Sequence, residues 1–152
     1  MRGKPLLAVT VMSLMGAAAA TYAPASYAAG QSASEQAIGR WATPTKHGVV
    51  EIAPCGASIC GRLVESDSIR ANPAFADGKN KNPALRSRPL KGLTILQGFT
   101  RSTDGWEGGS IYNPEDGGTY KATITIADAD TLKLKGCIVW PLCKTQTWKR
   151  LR

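Results

Sequence analysis

The chain has 152 residues and a formal net charge of +8, with 43% hydrophobic residues, four cysteines and one histidine. That is one domain's worth of sequence. A single histidine, His47, excludes a histidine-rich metal site, and beyond the N-terminus no apolar stretch reaches the roughly 20 residues that span a bilayer.

The N-terminus reads as a secretory signal. Met1-Arg2-Gly3-Lys4 carries two positive charges and no acid, Pro5 to Ala20 is uncharged and rich in Leu, Val, Met and Ala, and small residues run through Ser26-Tyr27-Ala28-Ala29. A basic start, a short apolar centre and a small-x-small site are the three parts of such a signal. Cleavage is expected after Ala28, giving a signal peptide over 1–28, with Ala20 as the second choice. An uncleaved anchor is disfavoured because the apolar run is too short. The processed chain is therefore expected in the periplasm or outside the cell. It stays basic after Arg2 and Lys4 are lost. In that setting a positive balance favours anionic lipid, polysaccharide or an acidic ligand head over nucleic acid, with plain solubility as the bland alternative.

Residues 29–37 are small and polar and read as a linker before a single domain over 38–152. From there the pattern is strand after strand. Gly39 to Thr43 is the first, stopped by Pro44. Val49 to Ala53 and Ile59 to Glu65 form a hairpin across Cys55-Gly56-Ala57-Ser58-Ile59-Cys60. Ser66 to Gly92 follows, with Pro73, Pro83 and Pro89 and one short helical turn expected near Ala84-Leu85-Arg86. Loops this long are uncommon in compact domains and are often binding loops or lids. Leu93 to Phe99 is a fourth strand, and Trp106 to Tyr112 a fifth, with a bulge expected at Gly108-Gly109. Asn113 to Gly118 is a strong turn. In the sixth strand Tyr120, Ala122, Ile124 and Ile126 alternate with Lys121, Thr123 and Thr125, so one face is buried and one wet. Leu132 to Lys135 and Lys144 to Leu151 are the seventh and eighth. Nothing between strands is long and periodic enough for a crossover helix, so the sheet is expected to be antiparallel and the fold all-β. Eight short strands favour an up-and-down barrel over a sandwich. Its interior would be just filled by side chains or hold one small ligand.

Cys55, Cys60, Cys137 and Cys143 are an even set in an exported chain, which reads as disulfides. Gaps of four and five residues lie at and beyond the upper limit of the two to four usual between paired zinc ligands. A long-range Cys55–Cys143 bridge would stabilise by roughly 4.6 kcal/mol in the chain-entropy model, against about 2 for a short loop. Closeness across a hairpin nevertheless favours Cys55–Cys60 and Cys137–Cys143.

Several phrases occur in a fixed order along this pattern. They are Trp41-x-Thr43, Val50-Glu51-Ile52 before Cys55-Gly56, Cys60-Gly61-Arg62, and Asn82 through Leu90. Then come Gly92-Leu93, Ile95-Leu96-x-Gly98-Phe99, Trp106-x-Gly108-Gly109-x-Ile111-Tyr112-x-Pro114, Tyr120-Lys121, Gly136-Cys137 and Cys143-Lys144-x-Gln146-x-Trp148. Together they resemble, from Gly39 to Arg150, the exported bacterial family known as domain of unknown function 2147. The resemblance implies a periplasmic or secreted lipocalin-like (calycin) barrel and no established activity. Gly39-Arg40-Trp41 is also similar to the Gly-x-Trp that opens the first strand of lipocalins, where a basic side chain of the last strand covers the tryptophan. Arg150 is placed to do this, which gives Trp41 and Arg150 the role of closing one barrel end.

Candidate ligand contacts are Arg86 and Arg88 in the long loop, as a cradle for an anionic head, Arg62 if it points inward, and Trp106, Tyr112 and Tyr120 beside a cavity. Each has a plainer reading, as a loop tie, a solvated charge or core. For catalysis the sequence offers no residue set. His47 sits in a turn, Glu51, Glu65, Glu107 and Glu115 are scattered, and no nucleophile elbow, phosphate loop or metal-spaced cluster occurs. The first reading is therefore a non-enzymatic, cofactor-free binder of a small apolar or amphipathic ligand, a lipid or small acid, in the cell envelope. The second is a filled barrel that recognises an envelope partner through its basic loop.

Overall fold

The alternating stretches fold as strands because each has one face to bury. The computed structural model describes residues 32–152, so the signal peptide, its cleavage site and the start of the 29–37 segment lie outside the described residues. The strands are β1 (Gly39–Ala42), β2 (Val49–Cys55), β3 (Ser58–Glu65), β4 (Leu93–Gln97), β5 (Thr100–Ser102), β6 (Gly105–Asn113), β7 (Gly118–Asp128), β8 (Thr131–Val139) and β9 (Leu142–Leu151). Every pairing between them is antiparallel, from β4 through β3, β2, β1, β9, β8 and β7 to β6. Pairing of Leu96 with Ile111 and Gln97 with Ser110 joins β4 to β6 and closes an eight-stranded barrel. The short β5 takes the rest of the same β6 edge, with Arg101 opposite Trp106. Sequence reading ran Leu93 to Phe99 as one strand and missed β5, because Gly98 turns the chain at φ +74 between them. The β6–β7 register shifts between Trp106 and Gly109, at the expected bulge.

Two other elements have no counterpart in the alternation. Helix α1 (Ala33–Gln36) occupies the segment read as linker. Ser32 and Glu35 cap it reciprocally, each side chain bonding the other's backbone N–H. It is packed, not loose: Ser34 and Ala37 are buried, and Trp106 Nε1 donates to the Ser34 carbonyl at 2.8 Å. Helix α2 (Asp67–Ala71) opens the long loop, with Ser66 as its cap and Ile69 in the core. A 3-10 turn over Pro83–Leu85 stands where the short helical turn was expected.

The inward face of the barrel changes along its axis. Trp41, Trp106, Trp148, Ile52, Ile124 and Leu132 are fully buried and fill the end capped by α1. Both disulfides are local, Cys55–Cys60 and Cys137–Cys143, and each staples a hairpin.

Candidate functional site

The other half of the barrel is open. A cavity of about 880 Å³ runs down from the mouth, towards the large end of the range for small-molecule pockets. Trp148, Val50 and Leu134 are among the residues at its apolar base, and Leu63, Ile95 and Ile111 line its wall. Lys46, Lys79, Lys144, Tyr112, Tyr120 and Asp116 add polar groups. Period-two alternation explains the lining. Trp148 is buried, so Gln146 and Lys144 share its inward face on β9. On β8 the inward series is Leu132, Leu134, Gly136 and Ile138, and three of these line the cavity. A Cβ on Gly136 would meet only Ile111 and Tyr120, at ordinary contact distance. The missing side chain therefore leaves space in the middle of the cavity.

The 66–92 loop is a fixed flap at this mouth. Its centre is Asp77, which is completely buried. Arg88 Nε donates to Asp77 Oδ2 at 2.9 Å, Asn80 Nδ2 donates to the same oxygen at 2.8 Å, and the Tyr112 hydroxyl donates to Oδ1 at 2.6 Å. The Arg88 guanidinium also lies 5.2 Å from the Tyr112 ring centroid. Ala76 bridges to Pro89, and the Leu90 N–H donates to the Phe75 carbonyl, so the flap is tied to itself as well as to β6. Beneath it Gly117, at φ +66, passes so close that a Cβ would collide with the Lys79 carbonyl oxygen. At the mouth, Tyr120 donates to Asp116 at 2.8 Å.

This geometry revises four of the candidate ligand contacts. Arg88 has its charge matched by Asp77, and Arg86 Nε donates to the Asn80 carbonyl at 2.8 Å, so both arginines help to tie the loop. Arg62 faces outward, opposite Glu51 on β2, because its neighbours Gly61 and Leu63 take the inward positions. Trp106 lies at the closed end, against α1 and under Arg101, whose guanidinium is 5.1 Å from its ring. Tyr112 and Tyr120 do line the cavity. At the closed end the Arg150 guanidinium lies 4.2 Å from the Trp41 ring centroid and donates to the carbonyls of Ile38, Gln36 and Ala129. Gly39 makes room for it, since a Cβ there would stand 2.6 Å from Arg150 Nη1. His47 is a surface residue paired with Asp67. Among the described residues, no group of three His, Cys, Asp or Glu side chains converges as a metal site.

Sequence reading missed Asp77, Lys46, Lys79, Lys144 and Gly136. The alternation through Trp148 was a usable signal for Lys144. The ion-pair and phenol partners of Asp77 are far from it in sequence, Arg88 eleven residues on and Tyr112 on β6.

The flap leaves a titration signature. Burial, then the hydrogen bond to Asp77 and its charge, hold the Tyr112 phenol above its ordinary value of 10.0, against the opposing bonds from Asn80 and Arg88. The bond to Asp116 does the same for Tyr120. Burial would raise the Asp116 carboxyl, but bonds from Tyr120, Gly118 and Asn113 and the charge of Lys81 outweigh it and leave it lowered. A raised phenol favours the neutral form in the folded state. Its stabilisation is whole below pH 10 and is lost as pH climbs through the folded value. In a chain cut to residues 29–152, which lacks Tyr22 and Tyr27, tyrosinate absorbance is expected to lag behind that of a free tyrosine as pH rises. A smooth titration centred on the ordinary value would contradict these contacts.

The family model described as "Uncharacterized protein conserved in bacteria (DUF2147)" matches residues 39–150. The chain belongs to this family. Among solved structures it is similar to HP1028 of Helicobacter pylori, described as belonging to the lipocalin family. The two share 27% identity over 76% of this chain and 82% of that one, with a TM-score of 0.67. No curated protein matches. The likeness agrees with the closed eight-stranded barrel and, in general terms, with binding of a small ligand.

Proposed function

We propose that this protein binds one small amphipathic molecule in the cell envelope, its apolar part in the barrel and its anionic head among the mouth lysines. The observation that carries this reading is the cavity itself, apolar at its base and bearing Lys46, Lys79 and Lys144 nearer the mouth. An apolar tail gains roughly 25 cal/mol for each Å² it removes from water. The lysines favour an acidic head through charge-assisted hydrogen bonds. Two local disulfides support an oxidising compartment. The rival reading, recognition of an envelope partner through the basic loop, is weakened because the charge of Arg88 is matched by Asp77 and Arg86 Nε is bonded to the loop's own backbone.

Native mass spectrometry of the protein purified from the periplasm tests this, followed by organic extraction of whatever is bound. A stoichiometric adduct that extracts as a lipid or small acid is the expected result. A clean apo mass with no uptake from a panel of fatty acids and envelope lipids would overturn it.

A further inference from the structure

The hairpin between β8 and β9 breaks the usual rule for a protein surface. Between the bridged Cys137 and Cys143 run Ile138, Val139, Trp140, Pro141 and Leu142, without a charge or a hydrogen-bonding hydroxyl. Ile138 is 73% exposed and Trp140 75%, and Val139 and Leu142 are exposed as well. The other tryptophans, Trp41, Trp106 and Trp148, are buried. A contiguous apolar run that a polar surround leaves uncovered marks an interaction surface.

Three further observations identify its occupant. Lysines flank the run: Lys135 Nζ stands 4.7 Å from the Trp140 ring centroid, and Lys144 follows Cys143 directly. An apolar tip carrying an indole, with cations behind it, matches the layered chemistry of an anionic bilayer, acyl chains below and phosphates above. The tip is clasped by the Cys137–Cys143 disulfide at its base, so little conformational freedom remains to be lost on insertion. It is also continuous with the cavity, since Ile138 and Leu142 line both. We infer that the 137–143 hairpin inserts into the interfacial layer of an anionic lipid bilayer and sets the cavity mouth against the membrane.

The docking surface does not depend on what the cavity holds. It is tested by flotation with phosphatidylcholine vesicles, with and without phosphatidylglycerol, while tryptophan emission is followed. The expected result is co-flotation with phosphatidylglycerol vesicles and a blue shift from Trp140, the exposed indole. Binding should fall as salt rises. Changing Ile138, Val139 and Trp140 together to serine should reduce bound protein at least tenfold without changing the melting temperature, because these side chains pack against little. Lys135→Gln with Lys144→Gln should weaken binding to anionic vesicles by about fivefold per lysine. A Gly136→Phe variant with its cavity filled should still float, which separates failure of this surface from failure of the ligand reading. Absence of flotation with either vesicle, or equal flotation of the serine variant, would overturn the inference. Dimerisation in sedimentation velocity, abolished by the serine changes and without vesicle binding, would make the surface an interface between copies.

Discussion

Replacing Asp77 with alanine is expected to release the 66–92 flap and cost up to about 3 kcal/mol of stability, near the lower end for removing one partner of a buried ion pair. The cost arises from what is left behind. Arg88 loses its counter-charge, the Tyr112 hydroxyl loses its acceptor, and the Asn80 amide keeps only the Tyr112 oxygen. Arg88 is 32% exposed and regains some hydration, which keeps the figure from the top of the range. Asp77→Asn retains shape and an acceptor oxygen, so a smaller loss is expected. Urea denaturation gives the magnitude, and hydrogen exchange the location: amides of 66–92 should lose protection while those of β7 to β9 keep it. The Tyr112 phenol should fall part of the way towards its ordinary value, since burial, its first cause, weakens along with the Asp77 bond and charge. Unchanged exchange in the flap would mean that Ile69 and Leu90 seat the loop by packing alone.

The barrel was legible because its information is local and repeats every two residues. Tyr120 to Ile126 and Leu132 to Leu134 state their buried face directly, and Gly39-Arg40-Trp41 with Arg150 places the first and last strands side by side. The same logic failed where single residues carry the structure. Helix α1 is four residues long, too short for a periodic signal, and only the Ser32–Glu35 capping pair announces it. In the sequence Arg86, Arg88 and Lys91 stand as three cations in six residues and invite a ligand reading. The acid that neutralises Arg88 is eleven residues upstream. Charge clusters show where cations are dense, whereas binding depends on which remain unpaired after folding. Among the described residues that line the cavity, those are lysines from three separate segments, 46, 79 and 144, which only the closed barrel brings to one mouth.

Gly136→Phe is expected to abolish ligand binding, by 100-fold or more, while leaving stability unchanged or slightly raised. Gly136 lies between Ala122 and Lys144 in the sheet and faces the cavity. A Cβ there stands 3.5 Å from Ile111 and 3.9 Å from Tyr120, so a side chain enters without a backbone clash. The ring would occupy the middle of the space that a ligand tail needs. A 100-fold loss corresponds to about 2.7 kcal/mol, well within what the lost apolar burial supplies. Large residues forced into a packed core normally cost 1–3 kcal/mol. That penalty applies where neighbours must move, and here the ring meets void. Phenylalanine also suits a strand better than glycine. Loss of binding with an undiminished melting temperature therefore distinguishes a space kept open for a ligand from a packing defect. A large drop in melting temperature would show that the wall around Ile111 and Tyr120 is closed on itself, and that the barrel binds nothing there.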